Sequence, residues 1–72
     1  MKIWYVECTD GIYHGYGRTR GDAESYVSGN YGYDYYDGSG FKDCVADGWA
    51  KRAVVIVVPR LVAETLLNTC VV

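Results

Sequence analysis

Five consecutive residues, Val54-Val55-Ile56-Val57-Val58, constrain this chain more than any other feature. Four are β-branched valines and the fifth is isoleucine, side chains that crowd a helix and suit a pleated strand. Every position in the run is apolar, so the strand is apolar on both faces. A strand of that kind is expected in the middle of a sheet with something covering each side. The chain has only 72 residues, which is one domain. A chain of that length buries ~60% of the surface its unfolded form exposes. The cover must therefore come from few, short elements.

The flanks of the run supply some of them. Pro59 stops the strand and can open a helix at its first position. Over residues 60–71, Arg60, Glu64 and Asn68 recur at every fourth position, with Thr65 and Thr69 beside them. Val62, Ala63, Leu66, Leu67 and Cys70 fill the opposite stripe, which predicts an amphipathic C-terminal helix. Upstream, residues 41–52 carry two patterns. Asp47-Gly48 is a hairpin signal that would pair Ala46 with Trp49 and Asp43 with Arg52. Phe41, Val45 and Trp49 are also spaced for a helix, against which Gly48 argues mildly. The hairpin is the favoured reading.

The N-terminal third predicts a hairpin of its own. Ile3, Trp4, Tyr5 and Val6 are strong strand formers, and Asp10-Gly11 is the strongest short turn signal. A two-residue turn sets Thr9 against Ile12, Glu7 against His14, Tyr5 against Tyr16 and Trp4 against Gly17. One face then carries Trp4, Val6, Cys8 and Tyr13, with Gly15 and Gly17 lying bare across from Val6 and Trp4. An aromatic ring over a cross-strand glycine covers its backbone, so this face is expected to be core. The other face carries Ile3, Tyr5, Glu7, His14, Tyr16 and Arg18. A short helix should follow, opened by Thr19-x-x-Asp22 in the manner of a capping box. Ala23, Tyr26 and Val27 give it an apolar face, and Gly29 or Asn30 ends it. The expected fold is a single α+β domain over residues 1–72. It has a small antiparallel sheet in ββαββα order, packed with one short and one amphipathic C-terminal helix.

Charge and tyrosine point to where such a domain would act. The net charge is −2, unevenly spread. Residues 22–48 hold Asp22, Glu24, Asp34, Asp37, Asp43 and Asp47 against Lys42 alone, a net of −5. No basic footprint for nucleic acid is present, and an acidic face suits a basic partner. Tyr supplies 8 residues and Phe 1. Four of the tyrosines fall in Asn-Tyr-Gly-Tyr-Asp-Tyr-Tyr-Asp-Gly-Ser-Gly, residues 30–40, where Gly and Asp predict a surface loop. That composition is the one antibody binding loops use, with Tyr for contact area and Gly, Ser and Asn for adaptable backbone. Tyr31, Tyr33, Asp34, Tyr35, Tyr36 and Asp37 are therefore the candidate partner-binding residues. Tyr5, Glu7, His14 and Tyr16 on the first hairpin form the secondary candidate surface.

Catalytic and metal motifs fare less well. Gly15-Tyr-Gly17-Arg-Thr-Arg-Gly21 has one residue too many for a dinucleotide loop and lacks the parallel sheet such a loop needs. The lone histidine, His14, faces Glu7 and has no nucleophile on its face. Acids around Gly38 do not match a calcium loop, whose twelfth position would fall on Cys44. Cys8, Cys44 and Cys70 show no metal-ligand spacing and read as free thiols of a reducing cytoplasm. The expectation is no catalytic residue, no metal and no cofactor, and a cytoplasmic chain with no membrane segment.

A strand hairpin running into Arg-Thr-Arg-Gly-Asp-Ala-Glu-Ser-Tyr-Val, in a Tyr-rich and mildly acidic chain, resembles small phage-encoded inhibitors of bacterial defence of the anti-CRISPR type. The likeness is one of general build over residues 2–28. It implies a non-enzymatic protein that occludes a basic surface of a host nucleoprotein complex, in the host cytoplasm and without touching nucleic acid directly. The alternative reading is a homodimeric structural or regulatory accessory protein of phage or bacterium.

Overall fold

The computed structural model describes residues 1–9, 14–33 and 39–70. Six elements follow in order: β1 (Lys2–Cys8), β2 (Gly15–Gly17), α1 (Arg20–Asn30), α2 (Ser39–Ala46), β3 (Ala50–Val57) and α3 (Arg60–Thr69). The strands make one antiparallel sheet in the order β2-β1-β3. The α+β class expected from the sequence is the class observed.

The first hairpin has the register that the Asp10-Gly11 turn predicts. Trp4 lies opposite Gly17, Tyr5 opposite Tyr16 and Val6 opposite Gly15. The turn itself, together with Ile12 and Tyr13, lies outside the described residues. The glycines serve a different purpose from the one expected. A Cβ on Gly17 would stand 2.5 Å from the backbone nitrogen of Ala23, and one on Gly15 would stand 2.7 Å from the Ala23 carbonyl oxygen. Helix α1 thus lies directly on the bare strand, and it is α1 rather than an aromatic ring that covers the glycines. Thr19 caps the helix as predicted, its hydroxyl accepting from the Asp22 N–H at 3.1 Å. Val6 and Cys8 of β1, Ala23 and Val27 of α1, Phe41 and Cys44 of α2 and Ala50 of β3 form the buried cluster on this face. The opposite face carries Ile3, also fully buried, and α3 contributes the fully buried Ala63.

Residues 41–52 correct the expected second hairpin. Residues 39–46 are helix, and only residue 50 onward is strand. Asp47-Gly48 closes a helix instead of turning a hairpin. Gly48 sits at φ +85°, and its N–H donates to the Val45 carbonyl at 3.0 Å while the Trp49 N–H donates to the Cys44 carbonyl at 3.0 Å. That pair of bonds is a Schellman cap. A left-handed glycine serves a hairpin turn and a helix end equally well. Here Phe41 and Cys44, three apart and both buried, decide the matter by packing as one helix face. The expected Asp43–Arg52 strand pair has no counterpart, since Asp43 belongs to α2.

The second correction concerns Val54–Val58. The strand is well formed, but it lies at the edge of the sheet and not in the middle. The hairpin partner β2 takes one edge of β1, leaving β3 the other. Val55 is 48% exposed and Val57 72%. Pairing with β1 runs from Lys2–Val57 to Cys8–Ala50, with an extra β3 residue between Val6 and Cys8.

Candidate interaction surface

Helices α1 and α2 end side by side, and each ends in the same way. In α1, Gly32 at φ +82° donates to the Gly29 carbonyl at 3.1 Å and Tyr33 donates to the Ser28 carbonyl at 2.8 Å. This is a second Schellman cap. The two caps interlock through their side chains. Tyr31, the last residue before Gly32, stacks on Trp49, the residue after Gly48, with centroids 5.4 Å apart. Tyr33, the residue after Gly32, donates its hydroxyl to Asp47, the residue before Gly48. Each cap therefore contributes the residues on both sides of its glycine, one to a ring contact and one to a hydrogen bond. The bond to Asp47 is the main reason the Tyr33 phenol is pushed up to about 12, with burial adding to it.

This exchange brings two helix C-termini together, and each carries partial negative charge. Asp43 and Asp47 add exposed carboxylates beside them. Trp49 remains 45% exposed. The result is an acidic, aromatic end of the molecule, and Tyr33, the last described residue before position 34, belongs to it. Of the six candidate residues read from the sequence, Tyr31 and Tyr33 lie here, half-buried and tied to the body. Asp34, Tyr35, Tyr36 and Asp37 lie outside the described residues. Asp47 and Trp49 are the members that sequence reasoning missed. The available signal was the triplet Tyr31-Gly32-Tyr33 echoed by Asp47-Gly48-Trp49, a glycine before an aromatic at the end of both helices.

The secondary candidate residues are also assembled. Tyr5 stacks between its neighbours, 5.9 Å from the His14 ring and 5.1 Å from Tyr16. Its hydroxyl and His14 Nδ1 are 3.1 Å apart. Burial, and then the neighbouring Tyr16, raise the Tyr5 phenol; burial, and then Cys70, raise Tyr16. The expected Glu7–His14 contact is replaced: Glu7 meets Lys51 at 3.4 Å, because β3 lies on that side of β1 and brings its basic end alongside. His14 turns to the ring of Tyr5 instead.

The remaining thiols and cavities belong elsewhere. Cys8, Cys44 and Cys70 form no disulfide. Burial raises the Cys44 thiol. Cys70 Sγ lies 3.3 Å from the Tyr16 N–H and 3.6 Å from the His14 carbonyl, so it contacts the histidine's backbone. A shallow groove of ≈ 340 Å³ between α2 and β3 has Phe41, Val45 and Ala53 in its wall and Arg20, Lys42 and Arg52 on its rim. Among the described residues no group of three or more His, Cys, Asp or Glu side chains could hold a metal ion. No described helix is long and apolar enough to cross a membrane. No protein-family model matches this chain, and no curated protein or solved structure is significantly similar to it.

Proposed function

We propose that this protein acts by binding a larger, basic partner, and not by catalysis, through the acidic end formed by the interlocked caps, together with the Asp34, Tyr35, Tyr36 and Asp37 that follow it in sequence. The observation that carries the reading is the exchange of Tyr31 and Tyr33 for Trp49 and Asp47 between two adjacent helix ends. A rigid base of this kind lowers the entropy lost on binding, because the anchoring rings are held before the partner arrives. Tyr35, Tyr36, Asp34 and Asp37 follow Tyr33 in the sequence, and Tyr and Trp are the side chains most often found at binding hot spots. The build that resembles small phage inhibitors of bacterial defence makes a basic face of a host nucleoprotein complex the partner of choice, met in the host cytoplasm.

The test is affinity capture from a bacterial lysate, with variants of the same chain as the comparison. A partner retained by the parent should be lost from Trp49→Ala and from Tyr35→Ala. Asp34→Asn combined with Asp37→Asn should slow association at low salt and matter little at high salt, since salt screens long-range attraction. Circular dichroism must first show each variant folded. If every folded variant retains what the parent retains, this end of the molecule is not the interface.

A further inference from the structure

The edge of β3 that faces away from β1 lies apart from the acidic end, and among the described residues no strand pairs with it. In an antiparallel ladder, successive residues point their N–H and C=O alternately to one side and the other. The Val58 N–H donates to the Met1 carbonyl at 3.0 Å, and the Met1 amine donates to the Val58 carbonyl at 2.8 Å. Val58 thus faces β1. In the register of this sheet, Ile56 opposite Ile3 and Val54 opposite Tyr5 face it as well. Ala53, Val55 and Val57 then direct their backbone groups outward, where no described strand lies. Two of these same three residues carry the strand's exposed large apolar side chains, Val55 and Val57.

Natural sheets blunt such an edge with charge, proline or a bulge. Here those devices lie at the two ends of the strand. Lys51 and Arg52 sit at the irregularity opposite Glu7, and Pro59 lies beyond the last residue of the strand. Between them the edge is apolar and uncharged. We propose that it pairs with β3 of a second copy, antiparallel about a two-fold axis through Val55, to give a continuous six-stranded sheet.

Charge and symmetry select a second copy over another partner. With Val55 opposite Val55 of the partner subunit, Ala53 meets the partner's Val57, and each of these residues exchanges both its hydrogen bonds. Side chains of paired residues share a face, so the exposed valines of both copies come together and leave water. The basic ends fall at opposite ends of the new ladder, Arg52 beside the partner's Val58, so Lys51 and Arg52 of the two copies stay apart. One patch serves both subunits, as a closed two-fold dimer requires. A strand apolar on both faces then becomes central, the position its sequence suits.

Sedimentation equilibrium of the full chain over a wide concentration range tests this. A reversible dimer with nothing larger is expected. In Val57→Lys, and in Val55→Pro, which removes an outward N–H without touching the β1 ladder, association should weaken at least tenfold. Should Val55→Pro fail to fold, Val57→Lys suffices, because its side chain is already exposed. Hydrogen exchange gives the direct readout. Protection of the Ala53, Val55 and Val57 amides should rise with protein concentration and that of Ile56 should not. A chain that stays monomeric throughout overturns the proposal, and so does open-ended growth. Association that survives Val57→Lys but is lost in Leu61→Lys would place the contact on α3, and the proposal would fall.

Discussion

The two edges of the sheet are built on opposite plans. The β2 edge has three residues, two of them glycine, and it is closed. Helix α1 presses on it from one face at backbone distance. Tyr5 spends its backbone groups on Val54, so Tyr16 across from it turns its N–H outward, where Cys70 Sγ meets it at 3.3 Å. The β3 edge has eight residues, five of them in an unbroken apolar run with Val58, and among the described residues nothing meets its outward groups. A closed edge depends on close packing and should not tolerate added volume. An open edge should tolerate almost any side chain, at the expense of whatever docks there. The contrast also bears on assembly: with one edge sealed, strand pairing can join two copies and then stops.

The largest effect should come from filling the closed edge. Gly17→Ala places a methyl 2.5 Å from the Ala23 nitrogen, where backbone must move. A loss of ~3 kcal/mol is expected, the upper range for overpacking, and for so small a domain that is a large share of the total. Urea unfolding would measure it. A loss below ~1 kcal/mol would mean that α1 does not hold this distance and that the edge is looser than drawn.

Removing the sulfur is the next test. Cys70→Ala leaves the Tyr16 N–H without its acceptor, and a loss of about 1 kcal/mol is expected for a single hydrogen bond. Exchange of the Tyr16 amide should quicken in step. Unchanged exchange would show that α3 does not seal β2.

Titration sharpens the same point with a smaller signal. Tyr16 and Tyr5 ionise above the ordinary tyrosine value of 10, chiefly through burial. A folded value above the unfolded one means that this contribution to stability is complete below pH 10 and disappears as pH rises through the folded values. Ultraviolet absorbance of tyrosinate should show a late-titrating group, and Cys70→Ala should bring part of it back toward 10. Tyr33, held to about 12 by Asp47, should remain last in both proteins and respond only to Asp47→Asn.

The smallest effect belongs to the open edge. Studied dilute, as a monomer, Val57→Lys should change stability by no more than ~0.5 kcal/mol, the range for surface positions. A loss of 2 kcal/mol or more would show that Val57 is packed, and the contrast between the edges would disappear.

Local chemistry made much of this legible in advance. The Asp10-Gly11 signal was enough to predict the observed β1–β2 register, because a hairpin's pairing follows from its loop length. Thr19 and Asp22 marked the start of α1, and the fourfold spacing of Arg60, Glu64 and Asn68 marked α3. The interaction surface was legible only in part. Tyr31 and Tyr33 stood out by composition, but their ties to Trp49 and Asp47 join residues that nothing in the local pattern connects. Asp47-Gly48 misled for a physical reason: positive φ at glycine is the same whether a strand or a helix precedes it.

By itself, then, the sequence determined each element whose cause lies within a few residues: the first hairpin, the cap of α1, the strand at residues 50–57 and the helix after Pro59. Tertiary structure decided what lies between elements. It turned residues 39–46 into a helix by burying Phe41 and Cys44, and it laid α1 on the glycines. It also set an apolar strand at the rim, because β1 has two edges and its hairpin partner already held one. Backbone propensity acts over a turn or two of chain. Which edge remains open depends on where every other element has gone.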